Sequence, residues 1–555
     1  METKMKKYNY GAIAKAAKPF MTFEQIFGRE PINEQVIDSI KSLNLEKTLI
    51  LVSQFAAMEK NAAEYVKNSY LDSINNILGI NTEKNKDEVL FASQAILNFY
   101  KWLLAYGQES TLKEEIKEED FFNTINLFLK VSDFLPKHIE PNDFLLQVLS
   151  FSKHTNLGNE LARAFFIYSE LSKQQELYKV KEFLDINSDF VNFYGYSIEQ
   201  YLAVNFALLT LVLPQRVPFT TNWVKNKNEF FKNTELKHIA PKIIDDLSIN
   251  ITEAQKWASS TIDNSWNYLK LQELPLLKLN SVEFIPFNYD IISNGIFDGL
   301  YHRIRGCYPE KDRRFLTFFG RPFEKYIELI LKEAIQNSRF DYEYIEEFDF
   351  GTKSPSLSSD FYLRLNEDLI IIEAKGARPT VNSSINADKE SIKKDLKKLF
   401  IDPIIQADNA YQNILKSSFS NRFKGVQNIY IISVNINNFP SVPSFYEEVD
   451  EALKESLSDN VKGYFNFSIT DIEAMCYLIS RKGKKPSIFR YLKNKFESSD
   501  IQSFTWFLEH TYIPIKRSKW INEQLYNSYK KIYEMSFEDP EKSLMSLEKK
   551  LLKKN

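Results

Sequence analysis

The run Leu369-Ile370-Ile371-Ile372, closed by Glu373-Ala374-Lys375, constrains this chain more than any other stretch. Four consecutive apolar residues rich in isoleucine predict a central β-strand buried on both faces. Ser359-Asp360-Phe361-Tyr362-Leu363-Arg364-Leu365 precedes it and reads as a second strand, with Asn366-Glu367 as a hairpin turn between them. Side chains alternate along a strand, so Glu373 and Lys375 share one face while Ile370, Ile372 and Ala374 take the other. Two charges closing so apolar a strand need a partner, and Asp360 enters the neighbouring strand.

Asp360 and Glu373 together suit a hard divalent cation such as Mg2+, or Mn2+, which takes oxygen ligands and keeps several waters. A lysine beside them can orient such a water or help deprotonate it. The flanking pattern extends this reading. Gly320 to Leu331 carries Pro322, expected near a helix start, and then apolar residues at helical spacing. Pro403 to Tyr411 reads as another helix, leading to a strand at Asn428 to Val434.

This order of helix, three strands, helix and strand, with Asp360 followed by Glu373-Ala374-Lys375, resembles the PD-(D/E)xK nuclease superfamily. The resemblance covers roughly Arg314 to Ile469. It implies an α/β, restriction-endonuclease-like mixed-sheet core, flanked by a large helical amino-terminal region and a smaller, mainly helical carboxy-terminal one. It implies metal on Asp360, Glu373 and the main-chain carbonyl of Ala374, with Lys375 as the catalytic lysine. Glu324 matches the family's helix glutamate, and Gln406 matches a glutamine often found on the helix after the Glu-x-Lys strand. The activity implied is Mg2+-dependent hydrolysis of a phosphodiester, with DNA favoured over RNA. Bacterial antiphage defence is the setting that such domains on long helical scaffolds suggest.

Other readings of the same residues stay open. Strand-end charges can be plain surface groups, Glu324 can be a first-turn glutamate favoured by the helix dipole, and Gln406 can be a solvated helix residue. The whole chain can be a binding or scaffold subunit whose nuclease-like fold has lost activity, or a nuclease acting on RNA.

At 555 residues the chain exceeds one ordinary core, and the pattern divides it into 1–300, a helical recognition or regulatory region, 301–480, and 481–555. With 44% apolar residues and only 15 glycines it is globular and rich in helix. A net charge of -3 argues against coating nucleic acid nonspecifically but permits a local basic track. Arg303, Arg305, Lys311, Arg313 and Arg314 form one candidate, and Lys389, Lys393, Lys394, Lys397 and Lys398 another. Cys307 and Cys476 provide neither a disulfide framework nor a zinc site, which fits a reducing cytoplasm.

Met1 to Lys18 lacks an apolar core of signal-peptide length, and the apolar run Tyr201 to Leu213 is too short to span a bilayer. It reads as a buried helix, so no membrane partner is expected. Capping boxes are expected at Thr22 with Gln25, Ser197 with Gln200, Thr252 with Gln255, Ser444 with Glu447, and Thr470 with Glu473. Pro214 to Thr221 is a plausible break, Gly463 to Ile469 a further strand, and Lys482-Gly483-Lys484-Lys485 a basic turn. No phosphate-binding Gly-x-x-x-x-Gly-Lys loop occurs, so the chain shows no ATP motor of its own. About 300 helical residues ahead of a core that needs far fewer suggest a recognition role for residues 1–300, toward a protein partner or phage trigger.

Overall fold

A computed structural model describes residues 20–108, 115–135, 156–178, 181–212, 222–350, 356–380, 383, 388–437, 443–483, 485–498 and 500–552. The amino terminus, the break at 214–221 and Lys484 of the basic turn lie outside the described residues. The fold is α/β, with helices surrounding two mixed sheets.

The first sheet adds four short strands to a first half that is otherwise largely helical. Strands β1 (Lys225–Asn226), β2 (Ser248–Asn250), β3 (Leu276–Lys278) and β4 (Glu283–Pro286) lie in the order β1-β4-β3-β2. Two to four residues are too few for a period-2 pattern to register in sequence. Alternation nevertheless sets their role: Leu276 and Phe284 enter one apolar core, while Leu277 and Ile285 enter a second. The small sheet is therefore a partition. The second core gathers residues from Met21 to Leu135 with parts of 223–291, and the first runs from Leu161 to Ile532. That first core crosses both 300/301 and 480/481, so the three segments read from the pattern share buried contacts.

The second sheet consists of β5 (Glu343–Glu346), β6 (Phe361–Leu365), β7 (Asp368–Lys375), β8 (Asn428–Asn435) and β9 (Val461–Ser468), in that spatial order. The first three are antiparallel, and β7, β8 and β9 run parallel. Asn366 takes φ 57, a left-handed value asparagine tolerates, and closes the β6–β7 hairpin in two residues. Leu363, Ile370, Ile372 and Ala374 pack into the core that holds the helices Arg314–Gln336 and Ile469–Ser480. Tyr362, Leu369 and Ile371 pack on the opposite face, against Ile404, Ala407 and Tyr411 of the helix Asp402–Leu415.

Pro322 lies inside the helix Arg314–Gln336, eight residues beyond its first residue, and not near its start. Phe315, Phe318, Phe319, Phe323, Tyr326 and Ile330 form a buried stripe at helical spacing. Burying that stripe offsets the one backbone donor that proline lacks. Glu324 consequently sits in mid-helix, where the terminal dipole does not explain it.

Two expected capping boxes form, Thr22 with Gln25 and Ser197 with Gln200. Elsewhere other residues cap. Asn250 takes the role expected of Thr252, and Ser468 with Asp471 replaces Thr470 with Glu473. Ser444 falls within a helix that opens at Pro443. Among the described residues no helix is long and apolar enough to cross a membrane. The helix Ile198–Leu208, which holds most of the longest apolar run, is buried.

Candidate carboxylate and lysine site

Strand register brings the acids together. Phe361 is opposite Ile372, so one step further along the hairpin places Asp360 opposite Glu373. On the other side the β5–β6 ladder ends with Glu346 opposite Phe361, and Glu347 follows directly at that end, near enough for the Glu373 charge to act on it. Glu347, Asp360 and Glu373 thus form a carboxylate row across three neighbouring strands. Asp360 Oδ2 accepts from the Ala374 N–H at 2.6 Å, and Lys375 Nζ donates to Glu373 Oε2 at 3.0 Å. Glu373 is only 9% exposed, although a strand-end glutamate would ordinarily be solvated. Tyr362 Oη accepts from the Ser359 N–H at 3.0 Å and anchors the segment entering β6.

Glu324 reaches the same end of the sheet from the long helix. Gly376 lies against Gly320, where a Cβ on Gly376 would come within 3.1 Å of the Gly320 Cα. This backbone-to-backbone approach carries Glu324, one helical turn after Gly320, to the edge of the row. Arg321 Nη1 donates to Glu324 Oε2 at 3.3 Å.

The electrostatics follow from four acids facing few cations. Burial, followed by the charges of Glu373 and Glu324, holds the Asp360 carboxyl well above the usual aspartate range, against the pull of the Ala374 N–H. Burial raises Glu324 to about 7, with Glu347 adding to the rise and Arg321 and Lys375 opposing it. Glu347 is on the exposed rim. Partial desolvation and Glu373 raise its carboxyl despite Arg321. Burial alone would lower the Lys375 ammonium, but Glu373, then Asp360 and Glu324, carry it above the ordinary lysine value.

Asp360, Glu373, Lys375 and Glu324 therefore meet at one end of the sheet. Gln406 lies on the helix that covers the Glu373 face, yet it is exposed and makes no hydrogen bond to Asp360, Glu373 or Lys375. Sequence reasoning missed Glu347. The available signal was an acid just after the edge strand, legible only once the β5–β6 register is known.

The first basic track is reduced: Lys311, Arg313 and Arg314 are exposed, whereas Arg303 and Arg305 turn to main-chain carbonyls. Arg303 donates to the Asp246 carbonyl and lies over Tyr194 and Tyr201, Arg305 donates to the carbonyls of Tyr308, Pro309 and Glu310, and Arg314 pairs with Asp312. The second persists. Lys389, Lys393, Lys394, Lys397 and Lys398 are all exposed, and Lys393 lies 3.9 Å from Glu448. Asp395, buried beneath them, accepts from the N–H and hydroxyl of Thr380 and ties this helix to the chain leaving β7.

Among the described residues no group of three or more His, Cys, Asp or Glu side chains is arranged to hold a metal ion. A donor set of two carboxylates and one backbone carbonyl is a different test. A strand residue presents its N–H and C=O to the same neighbour, so the Ala374 carbonyl faces the β6 side, where its N–H meets Asp360. Those three oxygens, in a cluster with excess negative charge, fit a hard cation. Comparison of the chain with family models, with curated proteins and with solved structures finds no match.

Proposed function

We propose that this chain is a metal-dependent nuclease built on a restriction-endonuclease-like core. The observation that carries the reading is the alignment of Asp360 with Glu373 at the ends of adjacent strands, with Lys375 bonded to Glu373 and Glu324 at the rim. The helix, the three antiparallel strands, the covering helix and the parallel strand occur in the order that the family resemblance implies.

In this reading Asp360, Glu373 and the Ala374 carbonyl hold Mg2+, with Mn2+ able to replace it. The bound ion supplies Lewis acidity toward a phosphate oxygen and lowers the pKa of water. Lys375 stays charged because Glu373 holds its ammonium, and it can donate to the negative charge that develops on a phosphate in attack. Glu324, raised to about 7, can accept a proton near neutral pH. Arg321 fixes one of its oxygens, leaving the other for that role. The assigned substrate is DNA, whose backbone lacks the 2′-hydroxyl that RNA offers as an internal nucleophile, so its hydrolysis depends on activating water.

Purified protein incubated with linear, circular and single-stranded DNA and with RNA, with and without Mg2+ or Mn2+, tests the reading. Metal-dependent cleavage of DNA, stopped by EDTA, is expected. Cleavage that persists in EDTA overturns the mechanism. A role in antiphage defence follows from the family resemblance, and phage plating on bacteria expressing wild type or Lys375→Ala tests it: protection that survives the substitution moves the function from cleavage to binding.

A further inference from the structure

Three residues beyond Lys375 the chain buries a second cation. The Arg378 side chain is 9% exposed, lies 4.2 Å from the centre of the Tyr301 ring, and places Nη1 2.7 Å from Asp298 Oδ1. Its Nε and Nη2 are buried without a hydrogen-bond partner. A buried guanidinium is costly unless paired, so Asp298 and the aromatic face of Tyr301 set where this segment can sit. Asn437, two residues past β8, also donates to Asp298 Oδ2, at 3.4 Å. One carboxylate thus contacts the chain just after both central strands.

Asp298 belongs to the first half of the molecule. It lies in a π-helical turn, Gly295–Gly299, a form common at functional positions. Tyr201 Oη donates to the Gly295 carbonyl at 3.0 Å, and a Cβ at Gly295 would strike the Asn205 amide, so the turn is fixed against the helix Ile198–Leu208. The helix leading into it, Tyr289–Asn294, places Ile291 in the amino-terminal core and Ile292 in the other. Ser93 donates to Asp290 at 2.8 Å and ties that helix to the amino-terminal lobe. On the other side of Arg378 the link is short. The Ala377 N–H donates to the Lys375 carbonyl at 2.6 Å, and Gly376 touches Gly320 of the helix that bears Glu324.

We propose that Asp298 and Arg378 are a positioning pair that sets the end of β7, and with it Lys375, against the carboxylate row. The role of residues 157–300 is then to complete the site mechanically, beyond any part they take in recognition. The inference rests on the nuclease reading only for its catalytic consequence; the positioning itself is measurable without any activity.

Hydrogen exchange on the full chain tests it with Asp298→Asn, Arg378→Gln and Arg378→Lys. Asp298→Asn and Arg378→Gln are expected to raise exchange of the Lys375–Ala377 amides about tenfold while β8 exchanges as in wild type. Arg378→Lys, which keeps a cation for Asp298, is expected to recover most of the protection. Unchanged exchange in the first two variants overturns the proposal, as does an equal loss of protection throughout β8, which would mean general destabilisation. Where wild type cleaves DNA, kcat is expected to fall about tenfold with KM nearly constant, because Lys375 and not substrate binding is displaced. An exchange response without any cleavage by wild type would uphold the positioning pair and refute the nuclease reading. Cleavage by wild type without an exchange response would do the reverse.

Discussion

Gly320 and Gly376 meet backbone to backbone, and this contact joins the glutamate helix to the strand that ends in Glu373 and Lys375. A methyl group on Gly376 would lie 3.1 Å from the Gly320 Cα, with no flexible side chain there to yield. Gly376→Ala is therefore expected to push helix and strand apart, costing about 1–3 kcal/mol in urea unfolding. Glu324 moves with the helix, so a larger fractional loss of cleavage than of stability is expected.

Substitutions in the row separate metal ligands from the lysine. Asp360→Ala and Glu373→Ala are expected to abolish Mn2+ binding by calorimetry and cleavage together. Lys375→Ala should retain most metal affinity while losing about 10²–10³-fold in rate. Equal loss of metal binding in all three would refute the assigned roles. Gln406→Ala, exposed and apart from these bonds, is expected to change the rate little.

Glu324 makes stability depend on pH in a definite direction. Its folded value of about 7 lies above that of an unfolded glutamate, so between about pH 4.5 and 7 the folded state holds more protons and stability falls as pH rises. The loss is at most about 3 kcal/mol, and solvent screening at this partly exposed side chain reduces it. Melting temperatures measured without metal from pH 5 to 8 should fall with pH, and Glu324→Gln should flatten the curve. Added Mg2+ should stabilise more at pH 8 than at pH 5, because protons and metal compete for the same acids.

The lysine-bearing helix that follows β7 offers a backbone track. With EDTA present to prevent cleavage, Lys397→Ala/Lys398→Ala is expected to weaken DNA binding for every sequence alike and to lower the salt slope by about 1–2. An unchanged slope would mean these lysines are simply a solvated face.

The segment from Tyr301 to the end should not fold by itself. Its core is shared with residues 161–300, and within it Glu473 is buried against Arg163 Nε at 3.1 Å, Asn159 Nδ2 at 2.6 Å and Tyr326 Oη at 2.6 Å. Removing Arg163, Asn159 and Asp298 leaves Glu473 and Arg378 short of partners, a cost of several kcal/mol each. Circular dichroism of the expressed segment is expected to show no cooperative melting. A cooperative melt with full metal binding would show that the two halves are independent.

The sequence by itself determined the local pieces: the β6–β7 hairpin with Asn366 at its turn, the apolar β7 ending in Glu373 and Lys375, and the helices that flank them. Each is set by short-range preferences, alternation along a strand and the apolar period of a helix, which act within a few residues. Only the tertiary structure decided which charges face each other. Glu347 joins the row because β5 ends beside β6 at that edge, Glu324 reaches it because two glycines remote in sequence touch, and Arg303 leaves the basic track because distant aromatic rings enclose it. The same holds for the four short strands of the first sheet, whose pairing depends on cores on both sides, and for Asp298, whose partner lies 80 residues away in the chain. Register, close backbone approach and the pairing of buried charges are non-local, and a residue's own neighbours in sequence carry no record of them.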